Sequence, residues 1–179
     1  MAKNSGFRNI ALIGFRGTGK SAVGRLLAQR LGGAFLDMDE KLVESMGMDI
    51  REWVELHGWE SFRDAESKLL ASLAGKERLV AATGGGVVLR EENRAALKAM
   101  FEVVWLRASS EVILARLAKD PKTAGLRPSL TGLPMREEVE RLLLERNAFY
   151  EEAADEFLDT DDLAPEEAAG RIYERVAAR

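Results

Sequence analysis

Eight residues constrain this chain more than any others: Gly14-Phe15-Arg16-Gly17-Thr18-Gly19-Lys20-Ser21. They fit the pattern G-x-x-x-x-G-K-[ST], and the flanks are those the pattern needs. The apolar run Ile10-Ala11-Leu12-Ile13 precedes it, and in the following segment Val23, Leu26, Leu27 and Leu31 fall on one helical face. Glycines let the backbone curl until successive N–H groups point inward at an anion, and the next helix presents its positive end there. Gly17, Thr18, Gly19, Lys20 and Ser21 are therefore the candidate nucleotide-binding residues, Lys20 neutralising the β- and γ-phosphates and the Ser21 hydroxyl ligating magnesium. The plainer alternative is a glycine turn with a lysine at a helix start.

The strand and helix around this loop recur along the chain. Ala34-Phe35-Leu36, Leu79-Val80-Ala81-Ala82, Val103-Val104-Trp105-Leu106 and Glu156-Phe157-Leu158 are apolar on successive positions, as in strands covered on both faces. Helical spacing separates them, with the longest charged amphipathic stretch at 136–154 and a closing helix at 165–177. The expected architecture is a three-layer α/β/α domain over a five-stranded parallel sheet, one domain spanning 1–179. Two stretches interrupt the alternation. A helical insertion is expected at about 38–70, and a mobile lid at about 119–134, where three of the four prolines gather with Gly125 and Gly132.

Composition removes several classes of function. The chain has no cysteine and one histidine, His57, which leaves no thiol nucleophile, disulfide framework or multi-histidine metal site. Its net charge of -4 is not that of a sequence-independent nucleic-acid binder, so any anion site must be local. No leader pattern opens the chain, and no apolar run approaches the ~20 residues that span a bilayer. A cytoplasmic monomer is expected, with no membrane or nucleic-acid partner.

Further candidates follow the loop. Asp37 and Asp39 stand two apart, on one face if the second strand continues that far, at the end of a parallel sheet where ligands bind. Either they hold magnesium and face the nucleotide cleft, or Asp37 caps a helix starting near Glu40 beside a solvated neighbour. Arg63, three residues before a possible partner Glu66, and Arg146 in Glu145-Arg146-Asn147 are candidates for gripping a small carboxylate. Arg127 lies in the expected lid. Taken singly, each reads first as an ordinary surface arginine. The triplet Gly84-Gly85-Gly86 suits close approach of backbone to a ligand, or simply a flexible turn.

In their order along the chain these parts resemble the shikimate kinase family: phosphate loop, Asp-x-Asp, Phe62-Arg63-x-x-Glu66, glycine triplet, Arg127-Pro128, then Glu145-Arg146-Asn147-Ala148-Phe149-Tyr150 running on to Ala154-Asp155. The resemblance extends from about residue 9 to 176. It implies ATP and Mg2+ as cofactors and shikimate as the acceptor, phosphorylated on its 3-hydroxyl. It further implies that Lys20 and Ser21 serve ATP and the metal, with Asp37 holding the metal through water. Asp39 would orient or deprotonate the acceptor hydroxyl, and Arg63 and Arg146 would grip its carboxylate beside Gly84, Gly85 and Gly86. Arg127 would stabilise the transferring phosphoryl group, and Pro165 falls in the adenine loop. Trp59 stands where relatives often carry glutamate, and Arg116 is the nearest counterpart of an adenine-stacking arginine. The nearer rival acceptor is gluconate, which also carries a carboxylate. A regulatory ATP switch would leave Asp39, Arg63 and Arg146 without a purpose.

Overall fold

The computed structural model of the protein describes residues 7–119 and 132–178. The five expected strands are present: β1 (Ile10–Ile13), β2 (Ala34–Asp37), β3 (Leu79–Ala82), β4 (Glu102–Arg107) and β5 (Glu156–Asp159). They form one parallel sheet in the order β2-β3-β1-β4-β5. Helices α1 (Lys20–Leu31), α2 (Met38–Met46), α3 (Ile50–Ala71), α4 (Glu91–Met100), α5 (Ser110–Lys119), α6 (Met135–Ala153) and α7 (Pro165–Ala177) connect or flank them.

Strand alternation sorts the core into two layers. Ile10 and Leu12 of β1 point to the face where Val23 and Leu27 of α1 and Ala169 and Ile172 of α7 pack. Ala11 and Ile13 point to the opposite face, covered by Leu70 of α3, Leu97 of α4, and Tyr150 and Ala153 of α6. A side chain on each successive residue is thus buried, which is why β1 and β3 carry no polar residue. The two outer strands differ from expectation. β2 is only partly buried and Phe157 of β5 is half exposed, because an edge strand lacks a neighbour on one side.

Chain order also places the site. β1 pairs with β3 on one side and β4 on the other, so the chain reverses its winding direction beside β1. A crevice opens outside the carboxyl ends of the strands at such a reversal, and the loop 14–19 leaves β1 there. The insertion is helical as expected, but α3 is two helices. Gly58 breaks it with φ 79 and ψ 166, a left-handed conformation that glycine adopts without strain.

Candidate active site

The phosphate loop is held in shape by its own atoms. Thr18 Oγ1 donates to the Phe15 carbonyl at 2.8 Å, and Lys20 Nζ donates to the carbonyls of Gly14 and Phe15, both at 2.8 Å. Lys20 is largely buried, its ammonium in the bowl of the loop where phosphate oxygens would sit. Gly14 has to be glycine: φ is 140, and a Cβ there would lie 2.4 Å from the Leu106 carbonyl oxygen at the end of β4. Arg116 of α5 braces the loop from outside, donating to the Gly17 carbonyl at 3.4 Å and to Thr160 Oγ1 at 3.1 Å. Those bonds commit its guanidinium to backbone and hydroxyl partners.

The two aspartates separate. β2 ends at Asp37 and α2 begins at Met38, so the strand does not carry both carboxylates on one face. Asp37 Oδ1 caps α2, accepting from the N–H groups of Asp39 at 3.0 Å and Glu40 at 3.2 Å. Its other oxygen, Oδ2, accepts from Ser21 Oγ. Asp37 therefore caps α2 with one oxygen and meets the phosphate-loop serine with the other. Ser21 and Asp37 offer adjacent hard oxygen donors at the mouth of the loop, a set suited to Mg2+. Among the described residues no group of three His, Cys, Asp or Glu forms a metal cluster, so such an ion would depend on phosphate and water oxygens for the rest of its shell.

Asp39, the second residue of α2, faces a different cavity. That cavity is lined by Arg63 and Glu66 of α3, Gly84–Gly86 after β3, Arg146 of α6, and Phe15 and Arg16 of the phosphate loop. Arg63 and Arg146 thus both line it, which spacing alone left open. Arg146 is buried and donates to the Gly85 carbonyl at 3.2 Å, its guanidinium 5.7 Å from the centre of the Phe15 ring. Tyr150, one turn on, donates to the same carbonyl at 2.6 Å and is pushed up to about 12 by burial. Of the glycine triplet only Gly84 is sterically required. A Cβ there would stand 2.3 Å from Glu66 Oε1 and 2.9 Å from Asp39 Oδ1, whereas at Gly86 it would meet nothing nearer than 3.7 Å.

Three side chains bear on this site in ways that sequence spacing did not convey. Glu66 does not pair with Arg63; Arg63 pairs instead with Glu60, one turn earlier. Glu66 is 1% exposed, its buried Oε1 has no hydrogen-bond partner, and burial together with the nearby Asp39 carboxylate raises its pKa to about 8. Arg16, inside the phosphate-loop pattern, lines the same cavity and pairs with the buried Glu138 of α6. Trp59 forms part of the cavity wall and meets Phe62 edge-on at 5.9 Å. His57 is exposed, its ring centre 4.4 Å from that of Trp53. Pro165 is exposed at the first position of α7. Arg127 lies outside the described residues.

A family model described as "Shikimate kinase" matches residues 16–177. The chain belongs to the shikimate kinase family. It is 49% identical to a shikimate kinase of Nitratidesulfovibrio vulgaris, over 81% of this chain and 82% of that one. To a shikimate kinase of Thermodesulfovibrio yellowstonii it is 44% identical, over 95% and 97%. Among solved structures, a shikimate kinase from Acinetobacter baumannii in complex with shikimate superposes with a TM-score of 0.90 at 33% identity, covering 96% of this chain and 94% of that one. A gluconokinase from Sinorhizobium meliloti superposes with a TM-score of only 0.53 at 18% identity, covering 96% of both chains, a likeness of fold alone. The family relationship therefore favours the first of the two acceptors considered above over its rival.

Proposed function

We propose that this shikimate kinase family member transfers the γ-phosphoryl group of ATP to the 3-hydroxyl of shikimate, giving shikimate 3-phosphate and ADP. The observation that carries the reading is the convergence of Arg63, Arg146 and Asp39 on one cavity whose wall includes the phosphate loop. Two guanidiniums suit the acceptor carboxylate, and a carboxylate in the same cavity suits a ring hydroxyl. The Acinetobacter baumannii relative, solved with shikimate, supports the same acceptor for this chain.

In this mechanism Arg63 and Arg146 hold the acceptor by its carboxylate, and Asp39 takes the proton of the attacking hydroxyl. The hydroxyl oxygen bonds to the γ-phosphorus as the bond to the β-phosphate oxygen breaks, and ADP leaves. Lys20 leaves its two carbonyl partners for the phosphates and follows the charge that builds between them. Backbone N–H groups of residues 17–21 cradle the same oxygens. Mg2+, held through Ser21 and Asp37, would supply charge neutralisation on the phosphates. Positioning and electrostatics do most of the work in such a transfer. The reading includes adenine contact near Pro165 and a single-domain, cytoplasmic monomer. No helix among the described residues is long and apolar enough to cross a membrane.

A coupled assay of ADP release with shikimate, gluconate, a nucleoside monophosphate or no acceptor tests the proposal. Turnover is expected with shikimate alone. Preference for gluconate or a mononucleotide overturns the acceptor, and acceptor-independent turnover overturns the kinase reading in favour of a nucleotide switch.

A further inference from the structure

Arg63, assigned above to the acceptor carboxylate, already has a carboxylate on it. Its Nη1 donates to Oε1 of Glu60, three residues earlier on the same helix face. The other oxygen of Glu60 is engaged as well, accepting from Arg90 Nη2 at 3.2 Å. Arg90 stands just before α4 and reaches Asp64 at 2.7 Å and Ser67 Oγ at 3.4 Å. One carboxylate is thus shared by two guanidiniums on different elements, and only one of these, Arg63, lines the acceptor cavity. Glu60 is well exposed, with 75% of its side-chain surface open, whereas Arg63 and Arg90 are at 31% and 23%. The cations are the more fixed members, and the carboxylate is the member free to change partner.

We propose that Glu60 is an internal competitor for the acceptor's carboxylate, occupying Arg63 in the free protein and passing to Arg90 when the acceptor binds. The inference rests on the carboxylate-gripping role of Arg63 proposed above. A guanidinium has donors enough for two partners but only one face toward the cavity, so a bidentate incoming carboxylate displaces the internal one. Arg90 keeps the displaced charge from being left unpaired, and Asp64 competes with Glu60 for Arg90. Glu60 is therefore a positioning residue that sets acceptor affinity through Arg63 without touching the acceptor.

The sign of the effect separates this from a merely structural role. If Glu60 simply aimed Arg63 into the cavity, removing its charge would weaken acceptor binding. As a competitor, its removal strengthens binding. The experiment is a titration of the full-length protein with shikimate, without nucleotide, followed by tryptophan fluorescence, since Trp59 lies in the cavity wall. Glu60→Gln is expected to lower Kd for shikimate about two- to fivefold, the range of an exposed ion pair. Raising the salt should narrow that gap between the variant and the parent. Arg90→Gln, which removes the alternative partner, is expected to raise Kd by a similar factor, and to have no further effect once Glu60→Gln is present. An unchanged or raised Kd in Glu60→Gln overturns the inference, as does an Arg90→Gln effect that persists in the double variant. Arg63→Gln distinguishes this failure from that of the underlying reading. If Arg63→Gln leaves Kd unchanged, the carboxylate grip itself is wrong; if it weakens binding while Glu60→Gln does not strengthen it, only the competitor role falls.

Discussion

The phosphate loop and the acceptor cavity share the side chains of Phe15 and Arg16 but are assembled in opposite ways. In the loop, the bonds of Thr18 and Lys20 close on carbonyls three to six residues away. In the cavity, Arg146 and Tyr150 bond to a carbonyl 61 and 65 residues away, and Asp39, Arg63 and Glu66 arrive on two further helices. The loop is set mainly by eight consecutive residues and one helix end, with Arg116 bracing it from outside. The cavity is a property of the tertiary fold. Substitutions in the loop should therefore act on chemistry with little loss of acceptor binding, and substitutions in the cavity should act on acceptor affinity and on stability together.

The largest effects should come where the two regions meet the reaction itself. Lys20→Ala is expected to lower kcat by about 100- to 1000-fold, the scale of losing one preorganised charge partner. Asp39→Asn should lower kcat within the range of about 100- to 10,000-fold for a lost general base, with KM for ATP nearly unchanged. Steady-state kinetics checks both, and a near-normal kcat in Asp39→Asn would remove that residue from the chemistry.

Next come the arginines. Arg146 is buried against Gly85, whereas Arg63 is partly open and shared with Glu60. Arg146→Ala should raise the acceptor KM about 100-fold and Arg63→Ala about tenfold, as charge-assisted bonds of unequal burial imply. Both should leave KM for ATP within about twofold. Collapse of ATP affinity in both variants would erase the distinction between the regions. Gly84→Ala should destabilise the fold by about 1–3 kcal/mol through its clash with Glu66 and Asp39, while Gly86→Ala should unfold at nearly the parental denaturant midpoint.

The remaining effect is a pH dependence of stability rather than of turnover. The folded pKa of Glu66, raised to about 8, lies above its unfolded value near 4.5. The native state then holds a proton that the unfolded state has released, so stability is fullest below the unfolded value and is lost as pH rises toward 8. The slope from this group approaches about 1.4 kcal/mol per pH unit at most. Thermal unfolding of the ligand-free protein should show the parent losing Tm between pH 5 and 8, with Glu66→Gln losing less. Parallel curves would mean that Glu66 is charged throughout.

This contrast also explains what was legible in the chain. The three inner strands could be placed because a buried parallel strand announces itself by consecutive apolar residues, the two edge strands by shorter apolar runs, and the loop by a pattern whose internal bonds are local. Convergence of Arg63 and Arg146 was expected from the family order, and the cavity contains both. What spacing missed was three-dimensional. Arg63 could reach Glu60 or Glu66 at three residues' remove, and only the packing of Glu66 beneath Gly84 decides between them. Sequence left open whether the second strand runs on to Asp39 or Asp37 caps a helix there, and the cap formed by Asp37 starts the helix at Met38. Arg16 was hidden inside a motif whose variable positions carry no assigned chemistry, and its partner Glu138 is 122 residues away.

The break at Gly58 has a consequence for how the insertion opens. Residues 50–57 stand outside it, joined to the rest mainly through the small cluster of Leu42, Ile50 and Phe62, while residues 59–71 are anchored by Leu70 in the main core. Two helical segments that do not share one hydrogen-bonded ladder need not melt together. Amide exchange should therefore divide α3 at Gly58, with the outer segment exchanging through a local opening and the segment bearing Arg63 and Glu66 protected until the whole domain unfolds.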